Sequence, residues 1–116
     1  MNDHADELPV TIERLDDVVI VRPEGEIDLA RSPELRHQIA LVQDMKVAKV
    51  IIDLARVPYM DSSGVATLVE AMQVARKVSH TLVLCGLCER VRSIFDIARL
   101  GMVFTIVDDV ETALAP

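Results

Sequence analysis

The chain has 116 residues, a length that suits one domain, and we expect that single domain to span residues 1–116. Apolar residues make up 51% of the chain, enough for a real core, while a net charge of −7 disfavours nucleic acid and membrane surfaces, which are themselves anionic. No apolar run approaches the roughly 20 residues of a membrane span, and the acidic start is unlike a secretory signal, so we expect a cytoplasmic protein.

The first third of the chain predicts a hairpin followed by a helix. Apolar and polar residues alternate over residues 8–12, and a continuous apolar run covers residues 18–21 after a turn at Asp16-Asp17. We interpret these runs as two antiparallel strands at one edge of a sheet. Ser32-Pro33 predicts the start of a helix, with Ser32 as the N-cap and Pro33 as the first helical residue.

The rest of the chain alternates between short β-branched runs and longer helical periods. Strands are predicted at residues 50–54, 81–85 and 103–107. Gly101 is expected to end the third helix as a C-cap, and Asp108 and Glu111 have the capping-box spacing for a last one. The order predicts an α/β fold, a mostly parallel sheet of about five strands with an antiparallel N-terminal edge strand and helices packed against it.

Most motifs that carry enzyme chemistry are missing. The sequence has no phosphate-binding P-loop, no dinucleotide-binding glycine pattern and no Gly-x-Ser-x-Gly elbow. His4, His37 and His80 are scattered without metal-ligand spacing, so we predict ordinary surface roles for them and no metal site.

Cys85-Gly86-Leu87-Cys88 is a Cys-x-x-Cys motif between a predicted strand and a predicted helix start. A redox dithiol would sit at such a place, because a helix N-terminus lowers the pKa of a thiol. The alternative is that Cys85 closes an apolar strand and is a small buried residue. A thiol oxidoreductase using Cys85 and Cys88 therefore stays as a secondary hypothesis.

The most informative segment covers residues 53–65. A buried strand ends there, a short loop follows, and two serines stand at a helix start. Ser62 is the predicted N-cap, and Gly64 lets the backbone approach closely. Helix N-termini present free N–H groups and the positive end of the helix dipole, so they accept anions. From the residues alone, Ser62 is either a plain helix cap or the centre of an anion-handling site.

An apolar pair followed by Asp61-Ser62-Ser63-Gly64 resembles the signature of STAS domains (sulfate transporter and anti-sigma-factor antagonist) of the antagonist type. Gly25-Glu26-Ile27-Asp28 resembles the turn after the second strand of that family. Residues 84–101 resemble its fourth strand and third helix, and the order of strands and helices agrees. The resemblance covers nearly the whole chain and implies the STAS fold.

The resemblance also implies a function, that of an anti-sigma factor antagonist without enzymatic activity of its own. In the family, the serine directly after the aspartate of the motif takes a phosphate, which implies phosphorylation of Ser62 here. The implied partner is an anti-sigma factor serine/threonine kinase of the histidine-kinase-like ATPase fold, which the unphosphorylated antagonist binds and the phosphorylated form releases. A PP2C-type phosphatase reverses the modification. ATP and its metal belong to the kinase, so no cofactor is expected.

We expect one partner-binding surface at the loops that follow the second and third strands, because both loops emerge at the same end of the sheet. Charge reversal at Asp28 is expected to weaken binding without unfolding the domain. The predicted surface comprises Asp28, Tyr59, Met60, Asp61, Ser62, Ser63 and Gly64. A further alternative is a constitutive STAS subunit of a sensory or lipid-transport complex, in which Ser62 would only cap its helix.

Overall fold

The computed structural model describes residues 7–116 and contains a five-stranded sheet. The strands lie in the order of the sequence. They are β1 (Val10–Leu15), β2 (Val18–Pro23), β3 (Lys49–Asp53), β4 (Thr81–Cys85) and β5 (Thr105–Val107). β1 pairs with β2 in antiparallel fashion, and every other pair is parallel. The predicted mostly parallel sheet with an antiparallel N-terminal edge strand is confirmed.

Four α-helices accompany the sheet over residues 7–116. They are α1 (Ser32–Gln43), α2 (Ser62–Val78), α3 (Glu89–Ile97) and α4 (Val110–Leu114), and a short 3-10 helix (Leu100–Met102) follows α3. None of these helices is long and apolar enough to cross a membrane. His4 and the acidic residues beside it lie outside the described part of the chain.

The sheet buries both of its faces, because successive residues of its central strands point to opposite sides. On one face, Val19 and Val50 belong to a large cluster with apolar residues of α1, α2 and α3. On the other face, Ile20 and Ile51 belong to a smaller cluster that Ala113 of α4 completes. The loops at the carboxyl ends of β2 and β3 are thereby attached to a rigid support.

The predicted start of α1 is wrong in its cap. Ser32 is the first helical residue and is buried, and Arg31 stands at the N-cap without a side-chain hydrogen bond. Instead, Asp28 Oδ1 accepts hydrogen bonds from the backbone N–H groups of Ala30 (3.1 Å) and Arg31 (3.0 Å). The carboxylate of Asp28 reaches free N–H groups that a serine at position 32 could not satisfy, because that serine is already inside the helix.

The end of α3 and the starts of β5 and α4 also differ from the predicted boundaries. α3 ends at Ile97, and Arg99 rather than Gly101 takes the left-handed conformation, with a φ of 57°. The first two residues of the predicted last strand, Val103 and Phe104, instead hydrogen-bond back to the carbonyl oxygen of Leu100 in the 3-10 helix, so β5 begins only at Thr105. Asp109 rather than Asp108 caps α4, since its carboxylate lies at the right spacing to accept the N–H of Thr112 at 2.8 Å.

Candidate functional site

The loops after β2 and β3 are joined by backbone hydrogen bonds. The N–H of Ile27 donates to the carbonyl oxygen of Tyr59 and the N–H of Asp61 donates to the carbonyl oxygen of Ile27, both at 3.0 Å. Ile27 and Met60 also form an isolated parallel bridge. The expected meeting of these two loops at one end of the sheet is confirmed, and Asp28 consequently lies beside the start of α2.

Asp61 caps α2, which corrects the prediction that Ser62 does. Asp61 Oδ1 accepts hydrogen bonds from the N–H groups of Ser63 (2.9 Å) and Gly64 (3.4 Å). Asp61 has an extended backbone, whereas Ser62 is already the first helical residue. A carboxylate at this position accepts several N–H donors at once, so Asp61 caps the helix rather than the hydroxyl of Ser62.

The carboxylate of Asp61 is stabilised in its charged form. Its pKa is lowered, chiefly by the hydroxyl of Ser63, against an opposing effect of burial, and the backbone N–H groups of Ser63, Gly64 and Leu29 lower it further. Asp61 is therefore ionised at neutral pH, directly beside Ser62. Any anion placed on Ser62 meets this negative charge and the positive end of the α2 dipole together.

The two serines of the motif differ in how their hydroxyls are engaged. Ser63 Oγ donates to Asp61 Oδ1 at 2.5 Å. The hydroxyl of Ser62 is exposed and has no hydrogen-bond partner within residues 7–116. Of the two, only Ser62 presents an oxygen to solvent that no local bond holds.

Two members of the predicted surface are buried. The side chain of Met60 is 0% exposed and belongs to the large core cluster, so it does not face a partner as expected. Gly64 is buried as well, and a Cβ there would come within 2.9 Å of Ile27 Cγ2. Both residues pack the start of α2 against the loop that contains Ile27.

Asp28 is half-buried, and its carboxylate has a structural task. Its Oδ1 accepts two backbone N–H groups just before α1, and its Oδ2 lies 3.3 Å from the guanidinium of Arg31. Replacing Asp28 by lysine would remove these bonds, so we expect that substitution to cost about 1 kcal/mol of stability in addition to any effect on binding.

An apolar groove lies beside Ser62, and its α3 wall was not part of the predicted surface. The groove is lined by Tyr59, Met60, Asp61, Ser62, Val65, Ile94 and Ala98. Ile94 lies on α3 and Ala98 is the C-cap of that helix, four residues later, so the two lie on the same side of it. The sequence signal for this wall was the apolar periodicity that predicted the third helix, which does not tell which of its residues border a groove.

The side chain of Arg90 belongs to the same side of α3, one turn before Ile94. Its guanidinium carbon lies 5.0 Å from the centroid of the Tyr59 ring, a cation–π contact. Tyr59 is half-buried and lines the groove beside Ser62. A cation is thus held at the edge of the groove whose lining includes the carboxylate of Asp61.

The two thiols lie in different surroundings. Cys85 is fully buried, as expected for a small apolar residue, and burial, together with the negative charge of Asp53, raises its pKa to about 12. Cys88 stands before α3, and its Sγ lies 3.6 Å from the carbonyl oxygens of Val57 and Pro58. A thiol that stays protonated is a poor nucleophile, which counts against the redox hypothesis.

Metal-ligating side chains do not cluster within residues 7–116, where no group of three or more His, Cys, Asp or Glu could hold an ion. His37 is exposed. The ring of His80 is half-buried and hydrogen-bonds to the carbonyl oxygen of Thr81 and to the side chain of Gln43, both at 3.0 Å.

Comparison with known protein families identifies the family of this chain. A family model described as the STAS domain matches residues 9–113. The chain belongs to the STAS domain family. Among its curated relatives, the anti-sigma-B factor antagonist of Listeria monocytogenes is 33% identical over 94 residues, which are 81% of this chain and 82% of the relative. The anti-sigma-B factor antagonist of Bacillus subtilis is 31% identical over 97 residues, 84% and 88% of the two chains.

Solved STAS structures share the fold. An anti-sigma factor antagonist from Mycobacterium paratuberculosis superposes with a TM-score of 0.86 at 24% identity and covers 94% of this chain and 92% of its own. The phosphorylated form of the Bacillus cell fate determinant SpoIIAA has a TM-score of 0.70 at 23% identity, covering 90% and 96%. At these identities the likeness shows the fold alone.

Proposed function

We propose that this STAS protein is an anti-sigma factor antagonist whose binding is switched by phosphorylation of Ser62. The observation that carries the proposal is the difference between the two hydroxyls. Ser62 Oγ is exposed and unbonded within the described residues, whereas Ser63 Oγ is held by Asp61 at 2.5 Å. The names of the relatives, antagonists of an anti-sigma factor, supply the class of partner.

In the proposed cycle, the unphosphorylated protein binds and sequesters an anti-sigma factor that is also a serine/threonine kinase of the histidine-kinase-like ATPase fold. The kinase transfers the γ-phosphoryl group of ATP to Ser62 Oγ, takes up the hydroxyl proton and releases ADP. A PP2C-type phosphatase hydrolyses the phosphoester and returns the serine and inorganic phosphate. The protein is a substrate in both steps, so the proposal assigns it no catalytic residue and no cofactor, and ATP and metal stay with the partner enzymes.

The charge at the site supports such a switch. A phosphate adds about −1.5 to −2 charges, and the N-terminus of α2 offers it the positive end of a helix dipole, so the fold tolerates the modification. The ionised carboxylate of Asp61 next to it raises the local negative charge. A loss of about 3 kcal/mol at the interface would weaken binding by about two orders of magnitude.

The proposal also includes the location of the protein and the class of its partner. The protein acts in the cytoplasm, as one STAS domain over residues 1–116, and its net charge of −7 leaves a protein rather than nucleic acid or a membrane as its partner. Partner contact falls on Asp28, Tyr59, Asp61, Ser62 and Ser63, with Met60 and Gly64 supporting them from beneath.

Affinity measurements with the cognate anti-sigma factor test the proposal. The unphosphorylated chain should bind, and chain carrying phosphoserine at position 62, installed during synthesis, should bind at least tenfold more weakly. Equal binding of the two forms would indicate a constitutive STAS subunit. An absence of binding by either form would contradict the antagonist function.

A further inference from the structure

Leu29 is a large apolar side chain that the fold leaves in solvent. It is 76% exposed and lies between Asp28 and Ala30 in the loop that leads into α1. An isolated exposed leucine is common on protein surfaces and needs no explanation by itself. What distinguishes Leu29 is how firmly its backbone is held and what holds it.

The loop that carries Leu29 is fixed on both sides. Asp28 Oδ1 accepts the N–H groups of Ala30 and Arg31 at 3.1 and 3.0 Å. On the other side, the backbone of Ile27 hydrogen-bonds to that of Tyr59 and to that of Asp61, the residue that caps α2, both at 3.0 Å. A side chain on a fixed backbone loses less conformational freedom when a partner covers it, which is how preorganised anchors gain affinity.

Asp61 links the loop of Leu29 to the start of α2. Its backbone N–H donates to the carbonyl oxygen of Ile27, two residues before Leu29, and its carboxylate accepts the N–H groups of Ser63 and Gly64. Ser62, which follows Asp61 and lines the groove with Val65 and Ile94, therefore lies at the same end of the sheet as Leu29. The charge of Asp28 beside Leu29 is already paired with Arg31 at 3.3 Å.

We infer that Leu29 is an anchor residue of this protein's interface with its anti-sigma partner, which presents an apolar pocket to it. The inference rests on the proposed function and adds the chemistry of the partner surface. An apolar partner surface on both sides of Ser62 would enclose the serine, so a phosphate there would lose its water without gaining a counter-charge. Desolvation, in addition to repulsion by Asp61, would then drive release.

Leu29→Ser and Leu29→Met test this inference in the intact protein, with Leu41→Ser as the matched control, since Leu41 lies on α1 and is 51% exposed. The measurement is the dissociation constant with the cognate anti-sigma factor. Leu29→Ser should weaken binding by about 10- to 100-fold, as the loss of an interface anchor does, while Leu29→Met and Leu41→Ser stay near the wild-type value. Thermal unfolding should be alike for all of the variants.

The outcomes separate this inference from the proposed function. If the wild-type chain binds and Leu29→Ser binds equally well, or if Leu41→Ser weakens binding as much, the inference about Leu29 is wrong and the proposed function stands. If the wild-type chain does not bind at all, both fail. A wild-type dimer that Leu29→Ser converts into a monomer would show that Leu29 instead meets a second copy of the chain.

Discussion

The hydroxyl of Ser63 donates a 2.5 Å hydrogen bond to the carboxylate of Asp61. This bond engages one of two adjacent serines and leaves the other, Ser62, with its hydroxyl in solvent. The local geometry of the α2 start thus distinguishes two hydroxyls that the sequence places side by side. Consequences for stability, for pH dependence and for modification follow from this difference.

Alanine substitution should affect the two serines unequally. Ser63→Ala removes a bond to a charged acceptor and is expected to cost about 1–2 kcal/mol of unfolding free energy, whereas Ser62→Ala removes no hydrogen bond and should stay within about 0.5 kcal/mol. Urea unfolding of both variants measures the difference. A larger loss for Ser62→Ala than for Ser63→Ala would mean that Ser62, and not Asp61, caps α2.

Asp61 should contribute to the fall of the unfolding free energy at low pH. Because folding lowers its pKa below the ordinary 3.8, its stabilising effect is present above that value and is lost as the pH falls through the lowered value. Asp61→Asn keeps an N-cap acceptor but cannot titrate, so its unfolding free energy should depend less steeply on pH below about 4 than that of the wild type. A series of urea melts between pH 2.5 and 6 checks this, and parallel curves for the two proteins would contradict it.

Gly64 should resist enlargement. A methyl group at this position would lie 2.9 Å from Ile27 Cγ2 and 3.1 Å from Met60 Cβ, both within the buried seat of α2. Gly64→Ala is therefore expected to cost about 1–3 kcal/mol, as overpacking of a filled core does. Gly101→Ala is the control, because no atom lies within 4 Å of its added Cβ and the change should be nearly neutral. Equal melting temperatures for the two variants would show that the contact at Gly64 is soft.

The two cysteines should differ in reactivity toward a thiol reagent such as DTNB. Cys85 is 0% exposed with a pKa near 12, so it should react only when the protein unfolds, while the half-exposed Cys88 reacts in the native state. Native Cys88→Ser should consequently consume no reagent and should bind the partner like the wild type. Rapid native labelling of Cys85, or loss of partner binding in folded Cys88→Ser, would revive the dithiol hypothesis.

The sheet could be predicted from the sequence because its strands consist largely of runs of β-branched residues. Residues 18–21 and 50–54 are continuous apolar stretches, which are typical of central parallel strands, and the structure places β2 and β3 there. The meeting of the Asp28 and Ser62 loops then followed from the topology alone. Chain order and periodicity are sufficient for this level of the fold.

The details of the site could not be predicted in this way, because they depend on the reach of individual side chains. Three of the expected capping residues are displaced, since the carboxylates of Asp28, Asp61 and Asp109 reach N–H groups that the pattern assigned to neighbouring residues or left unassigned. Met60 is buried where its backbone bridges to Ile27, and Leu29 is exposed in the loop before α1. The contact of Ile27 with Met60 joins segments that are distant in sequence, so no local pattern encodes it. The three caps are local, since each carboxylate accepts an N–H group two or three residues further on, but the spacing of the residues did not decide which of them stands at the cap.

Phosphopeptide mapping tests the central claim most directly. The wild-type protein, Ser62→Ala and Ser63→Ala are incubated with the cognate kinase and ATP, and the modified residue is located by fragmentation mass spectrometry. We expect a single phosphate on Ser62 in the wild type and in Ser63→Ala, and none in Ser62→Ala. Phosphate on Ser63 with Ser62 unmodified, or undiminished phosphorylation of Ser62→Ala, would contradict the assignment of the switch to the free hydroxyl of Ser62.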